Sequence, residues 1–267
     1  MSNTIPVSEP LFCQAEEEYV LDCIRTGWVS SEGKYVKKFE RSCADYCSRK
    51  YGIAVSSGTA ALQVAMRCLH LDKGDEVIMP SFTMISCAMA IIEAGAIPVL
   101  VDSDPETWIM RAQDVENKIT SKTKAIMAVH IYGHPVDMDI IFDLSEKYGL
   151  SVIEDAAEAH GAEYKGQKCG GLGDISILSF YANKLVTTGE GGMILTSNHE
   201  HAEKARSLRN MCFLPEERFL HKELGHNYRL SNIQAAIGVA QLERLEQFVS
   251  RKREMAQMYN DGLRGLP

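Results

Sequence analysis

The chain has 267 residues, 45% of them hydrophobic and 24% charged, with a formal net charge of −8. That is ordinary globular composition, and the acidic balance excludes a chain-wide basic field for nucleic acid or an anionic membrane. The start, MSNTIPVSEP, lacks a basic segment followed by an apolar core and is no signal peptide. The longest apolar run, AMAIIEAGAIPVLV, is too short to span a bilayer and is broken by Glu93, Gly95 and Pro98. A soluble cytoplasmic protein is expected, with no nucleic-acid or membrane partner.

From Tyr51 the chain alternates short apolar runs with helical segments. YGIAVSS predicts a strand, and GTAALQVAMRCLHL a helix with Leu62, Ala65, Met66 and Leu69 on one face. DEVIMP, AIPVLVD, KAIMAVHIYG and LSVIED read as strands, with TMISCAMAIIEAG and DMDIIFDLSEKYG as helices among them. Strands of four to seven residues separated by helices are the pattern of an α/β fold, a mostly parallel sheet covered by helices on both faces. Gly74, Gly95 and Gly149 are read as helix stops.

After Asp155 the rhythm changes. DISILSFYA and GGMILTS are predicted as strands joined by hairpin-like turns, with no helix between them. The stretch from Ser231 to Leu263 reads as one long helix, capped by Ser231, with an apolar stripe of Ile233, Ala236, Ile237, Ala240, Leu242, Leu245 and Val249. The eight cysteines form no C-x-x-C pair and join no histidine cluster at zinc spacing, so free thiols are expected and no metal site. Cys43 and Cys47 share a helix face, which is half a metal site at most.

A parallel sheet binds ligands at the carboxyl ends of its strands, and three segments could place chemistry there. In SSGTAAL a strand end, Gly58 and a helix start offer N–H groups to a phosphate, although strand–Gly–helix turns are common in every such fold. In VIEDAAEAHG, Asp155 ends an apolar strand; it is either a turn cap or the anionic partner of a buried cationic nitrogen. Lys184, in SFYANKLVTTGEGGM, follows another apolar strand. Its amine either reaches water along its stem or stands in an apolar pocket, with Thr187, Thr188, Gly189, Gly191 and Gly192 leaving room for a ring. Phosphate donors, a carboxylate for a ring nitrogen and an amine for an aldehyde together match pyridoxal 5′-phosphate (PLP).

The sequence resembles the sugar aminotransferases of the DegT/DnrJ/EryC1/StrS group. The likeness runs from IPVSEP to the end of the chain, through SSGTAAL, MPSFTMISCA, VHIYGHPVDM, VIEDAAEAHGAEYKG, GDISILSFYANKLVTTGEGGM and GHNYRLSNIQAAIG. It implies the PLP-dependent transferase fold of the aspartate-aminotransferase type. Residues 1–230 would form the large cofactor-binding domain with an N-terminal helical arm, and 231–267 a connecting helix towards a small C-terminal domain missing from this chain. Lys184 would condense with the cofactor aldehyde and Asp155 would face the pyridinium nitrogen. Gly58, Thr59 and Ala60 would wrap the phosphate through their N–H groups, joined by the Ser179 hydroxyl. Glu158 would lie near the ring oxygen, and Met84 would stand where many members stack an aromatic ring. Asn227 would reach the phosphate of the other subunit in a homodimer with shared active sites.

The implied reaction moves an amino group from L-glutamate to C4 of a nucleotide-linked 4-keto-6-deoxy sugar. Conversion of GDP-4-keto-6-deoxymannose to GDP-perosamine, for surface polysaccharide, is the favoured case. A non-catalytic or truncated PLP-fold protein is one alternative. A PLP-dependent sugar dehydrase is another, and its signature, by resemblance, is a histidine where this chain has Lys184.

Overall fold

The computed structural model describes residues 8–214 and 216–266. The first half of the IPVSEP stretch and most of the MSNTIPVSEP start therefore lie outside the described residues. Two helices lead the chain. α1 (Gln14–Thr26) opens on Glu16, whose carboxylate accepts the Cys13 N–H at 2.8 Å, and closes on Gly27 in the left-handed conformation, φ 74°. α2 (Lys34–Tyr46) buries Tyr35, Val36, Phe39 and Cys43.

The body then builds in chain order as β1 (Tyr51–Val55), α3 (Gly58–Arg67), β2 (Glu76–Pro80), α4 (Ile85–Glu93), β3 (Ile97–Val101), α5 (Ala112–Val115), β4 (Thr123–Val129), α6 (Met138–Tyr148) and β5 (Ser151–Asp155). A two-stranded ribbon follows, β6 (Glu163–Tyr164) with β7 (Gln167–Lys168). The chain continues through β8 (Ile175–Ser179), β9 (Gly192–Thr196), α7 (His199–Arg209), α8 (Asn232–Glu243) and α9 (Leu245–Gly262). Among the described residues no helix is long and apolar enough to cross a membrane.

Seven strands form one sheet in the order β1-β9-β8-β5-β4-β2-β3. The pairs β3–β2–β4–β5–β8 are parallel, while β9 runs antiparallel to both of its neighbours, β8 and β1. Alternation along each strand divides the core. Ile126 and Ala128 of β4 face the layer holding α1, α2, α6 and α8, whereas Ala125 and Met127 face the layer of α3, α4 and α7. The sheet is therefore buried on both faces, which is why its strands read as near-continuous apolar runs.

Several boundaries differ from the sequence reading. Gly149 ends α6 at φ 66° and Gly95 follows α4 at φ 88°, as expected. Gly74 instead shapes the turn into β2 at φ 94°, well beyond the end of α3 at Arg67. The strand expected through KAIMAVHIYG stops at Val129, because Ile131–Gly133 coil into a tight 3-10 turn with Tyr132 at φ 53°. DISILSFYA is extended only to Ser179, so Lys184 lies in the long loop joining β8 to β9 rather than at a strand end.

The single long helix expected from Ser231 is two. α8 begins with a reciprocal cap between Ser231 and Gln234 and ends at Arg244, whose φ of −112° and ψ of 7° interrupt the helix before α9. The physical cause lies across the interface with α1. Buried Glu16 accepts from both Gln241 and Arg244 at 2.6 Å, drawing the end of α8 onto α1, while Leu245 and Val249 of α9 stay buried in the core.

Candidate active site

The carboxyl ends of β1, β2, β4, β5 and β8 open into one cleft of about 280 Å³. Its walls include Gly58, Thr59, Met84, His130, Asp155, Glu158, Ser179 and Lys184. The cleft thus gathers seven of the nine residues singled out in the sequence; Ala60 and Asn227 stand apart.

One end of the cleft is the N-terminus of α3. Ser57 caps the helix, its hydroxyl accepting the Ala60 N–H at 3.0 Å. That amide, one of the three expected to wrap a phosphate, is therefore already engaged, and Ala60 is buried behind the turn. Gly58 and Thr59 keep N–H groups that find no protein acceptor among the described residues. A Cβ on Gly58 would come within 2.8 Å of the Ser179 Cβ and 3.0 Å of its hydroxyl, so only glycine lets α3 start this close to the end of β8. Gly192 serves the same contact from behind, where a Cβ would run into the Ser57 carbonyl. It brings β9 against the helix start, which is a different task from clearing room around Lys184.

The middle of the cleft is Asp155, the last residue of β5 and 5% exposed. Oδ1 accepts the Ala157 N–H at 3.0 Å and Oδ2 the Cys87 thiol at 3.2 Å. Burial raises its pKa above the ordinary aspartate value despite these two bonds. Asp155 is thus both the turn cap and a dry carboxylate at the cleft.

The other wall is Lys184. Its Nζ stands 2.8 Å from Glu158 Oε1, with the lysine side chain only 15% exposed. The amine thus faces a carboxylate, which is neither of the two settings, water or an apolar pocket, that the sequence left open. Thr187 and Thr188 are buried and bond the backbone at Phe180 and Glu190. Glu158 also accepts the Tyr132 N–H at 2.8 Å. Burial works against its charge, but the Lys184 amine and Tyr132 outweigh it and hold the carboxyl below the usual glutamate range. Met84 lies at the mouth, 61% exposed. Asn227 is exposed, in a segment that runs beside β1 through the Val55–Arg229 bridge, and is not part of its own chain's cleft.

The sequence reading gave Cys87 no role at the site; Thr83, four residues earlier and just ahead of α4, places its Oγ1 3.2 Å from the Cys87 sulfur. The sequence reading also passed over Glu154, the residue before Asp155, which points to the opposite face and is fully buried. Glu154 accepts from His130 at 3.1 Å, from the Gly170, Leu172 and Gly173 N–H groups at 2.6, 2.8 and 3.1 Å, and from Ser176 at 2.6 Å. His130 Nδ1 accepts the Val136 N–H, so Nε2 carries the proton given to Glu154. Cys169 stands close enough to complete a three-atom cluster with these two. Every donor and acceptor of the carboxylate–histidine pair is already matched, which is the chemistry of a hydrogen-bond hub. All eight cysteines are free thiols, and Cys13 alone is exposed.

A mostly parallel sheet with its cleft at the carboxyl edge defines an α/β protein with a small-molecule site. Residues 12–267 match the family model described as DegT/DnrJ/EryC1/StrS aminotransferase. The chain is similar to GDP-perosamine synthase of Escherichia coli O157:H7, 47% identical over 262 residues that span 98% of this chain and 72% of that protein. Among solved structures it is similar to an aminotransferase of Psychrobacter cryohalolentis, with 35% identity, a TM-score of 0.90, and 96% of this chain and 68% of that one covered. A Streptococcus pneumoniae protein solved in its PLP form aligns at 29% identity and a TM-score of 0.91, covering 98% of this chain and 72% of that one. This chain belongs to the DegT/DnrJ/EryC1/StrS aminotransferase family.

Proposed function

We propose that the protein is a PLP-dependent aminotransferase that moves the amino group of L-glutamate to C4 of a nucleotide-linked 4-keto-6-deoxy sugar. GDP-4-keto-6-deoxymannose is the favoured acceptor and GDP-perosamine the product. One observation carries the reading: Lys184, Asp155 and the start of α3 converge on a single cleft, in a chain 47% identical to a GDP-perosamine synthase.

The cleft fits PLP at three points. Gly58 and Thr59 offer N–H groups at the positive end of α3, and Ser179 adds a hydroxyl, which together suit a phosphate. Asp155, dry and bonded by few donors, is eased by a cation beside it and so keeps a ring nitrogen protonated. When bound, PLP supplies the electron sink for the carbanion left on loss of a substrate α-proton. Lys184 holds the cofactor aldehyde. Its free amine would take the α-proton of the amino donor as a base and give a proton back as an acid. Glu158 orients that amine from the side, at 2.8 Å.

Borohydride treatment of the PLP-loaded protein should fix the cofactor on the peptide holding Lys184; label on another lysine would overturn the assignment. Incubation with glutamate and a panel of GDP-, UDP- and dTDP-linked 4-keto sugars tests the substrate, with turnover of the GDP sugar expected. Asn227, exposed on its own chain, is proposed to complete the phosphate site of the partner in a two-fold homodimer. Mixing inactive Lys184→Ala and Asn227→Asp variants under subunit exchange should restore aminotransfer, because one site of each mixed dimer then carries neither defect. Verified mixed dimers without activity would remove the shared site.

A further inference from the structure

The Asp155 carboxylate has two hydrogen-bond partners among the described residues, and one of them is unusual. The Ala157 N–H is the ordinary donor of a turn. The other is the thiol of Cys87, in the first turn of α4, with the residue wholly buried. A thiol has one proton. With that proton on Asp155 Oδ2, the sulfur can only accept from Thr83, whose hydroxyl lies 3.2 Å away. Burial and the adjacent carboxylate push the Cys87 thiol far above its ordinary range, so it stays a neutral S–H rather than a thiolate. Nucleophilic and redox roles are thereby disfavoured, and donation into Asp155 is the one chemical task the geometry leaves to it.

We propose that Cys87 is a positioning residue for Asp155: the chain Thr83–Cys87–Asp155 fixes the rotation of the carboxylate without satisfying its charge. The physical argument is one of donor strength. A hydroxyl or N–H given to a carboxylate stabilises the anion strongly, whereas a thiol is a weak donor. The same strand shows the alternative, since Glu154 receives five N–H or O–H donors and no thiol. Cys87 therefore sets the direction of Asp155 while leaving its charge for a cation in the cleft. The proposal rests on the reading of that cation as the ring nitrogen of PLP.

Two measurements test it. The infrared S–H stretch of Cys87, isolated as the difference between wild type and Cys87→Ala, should lie below that of a free thiol. In Asp155→Asn the band should move up, as a neutral amide accepts more weakly than a carboxylate. If Cys87→Ala does not fold, Cys87→Ser gives the same difference band. An unshifted band in folded Asp155→Asn overturns the contact. In single-turnover reaction of the PLP-loaded protein with glutamate, Cys87→Ala should slow the α-proton step roughly 10-fold. It should also enlarge the isotope effect of α-deuterated glutamate and leave glutamate affinity unchanged. Cys87→Ser, which restores a donor to aim the carboxylate but a stronger one that satisfies more of its charge, should recover only part of the rate. Equal rates in all three proteins overturn the positioning role alone. A wild type that takes up no PLP overturns the reading of the cleft, and the infrared band then still reports whether the Cys87–Asp155 contact exists.

Discussion

Glu154 and Asp155 are neighbours on one strand, and both are buried carboxylates, yet they are treated in opposite ways. Glu154 points into the layer beneath the sheet and collects five donors. Burial opposes its charge, but His130, Ser176 and the Gly170 N–H overcome it and pull the carboxyl down to about 2. Asp155 points into the cleft with two donors, one of them a thiol, and burial pushes it above its ordinary value. A carboxylate matched on all sides organises structure: Glu154 holds the Gly170–Gly173 loop against the sheet. A carboxylate left under-satisfied in a dry place is poised for a cation, which is the mark of a binding group.

The comparison can be broken most sharply by removing the charge of Asp155. Asp155→Asn should leave the protein folded and cut the glutamate half-reaction by several orders of magnitude, because the ring nitrogen is no longer held protonated. Stopped-flow traces with an unchanged rate would show that Asp155 does not face the ring. Glu154→Gln should do the reverse damage. Its amide presents N–H groups to N–H donors inside the sheet, and unfolding in urea should show a loss of about 3–5 kcal/mol.

The pH dependence of stability should carry the same contrast. Glu154 is depressed from 4.5 to about 2, so its contribution is complete above pH 4.5 and is lost as pH falls through about 2. Wild type should lose stability across that acid window, and Glu154→Gln should lack that part of the slope. Asp155 is shifted the other way. Its ionisation in the fold opposes stability once pH rises above the ordinary aspartate value of 3.8. The smallest expected effect follows: PLP-free Asp155→Asn should melt slightly higher than PLP-free wild type at neutral pH, and the gain should vanish in acid. A lower melting temperature at neutral pH would show that Asp155 supports the fold as Glu154 does.

The parallel sheet was legible because buried strands are apolar without interruption, and the turn at SSGTAAL was legible because Ser57 and Gly58 sit where a strand meets a helix. Other features had no such local mark. Glu154 and Asp155 read as one acidic pair, since the different surroundings of the two strand faces come from loops far along the chain. The break at Arg244 was hidden because Leu245 and Val249 continue the helical spacing across it, and the partner that causes it, Glu16, lies more than two hundred residues away. The environment of Lys184 was misread for a related reason. Of the glycines beside it in sequence, Gly192 packs against the start of α3 and Gly191 against Thr188 and Leu230, and the carboxylate facing its amine comes from the turn after β5. Composition near a residue in sequence says little about a loop whose neighbours are supplied by other strands.

The reversed direction of β9 has a consequence for how the chain acquires its cleft. β1 is placed in the sheet by β9, with Gly52 opposite Leu195, so the strand that leads into Ser57 and Gly58 waits for partners synthesised more than one hundred and thirty residues later. Pairings of such sequence separation form late and slowly. On the ribosome, β2 to β5 can assemble by neighbouring crossovers while the start of α3 still has no Ser179 beside it and no β9 behind it. The α3 end of the cleft should therefore be the last part of the sheet to mature, and a nascent chain ending before Thr196 should be unable to retain the cofactor.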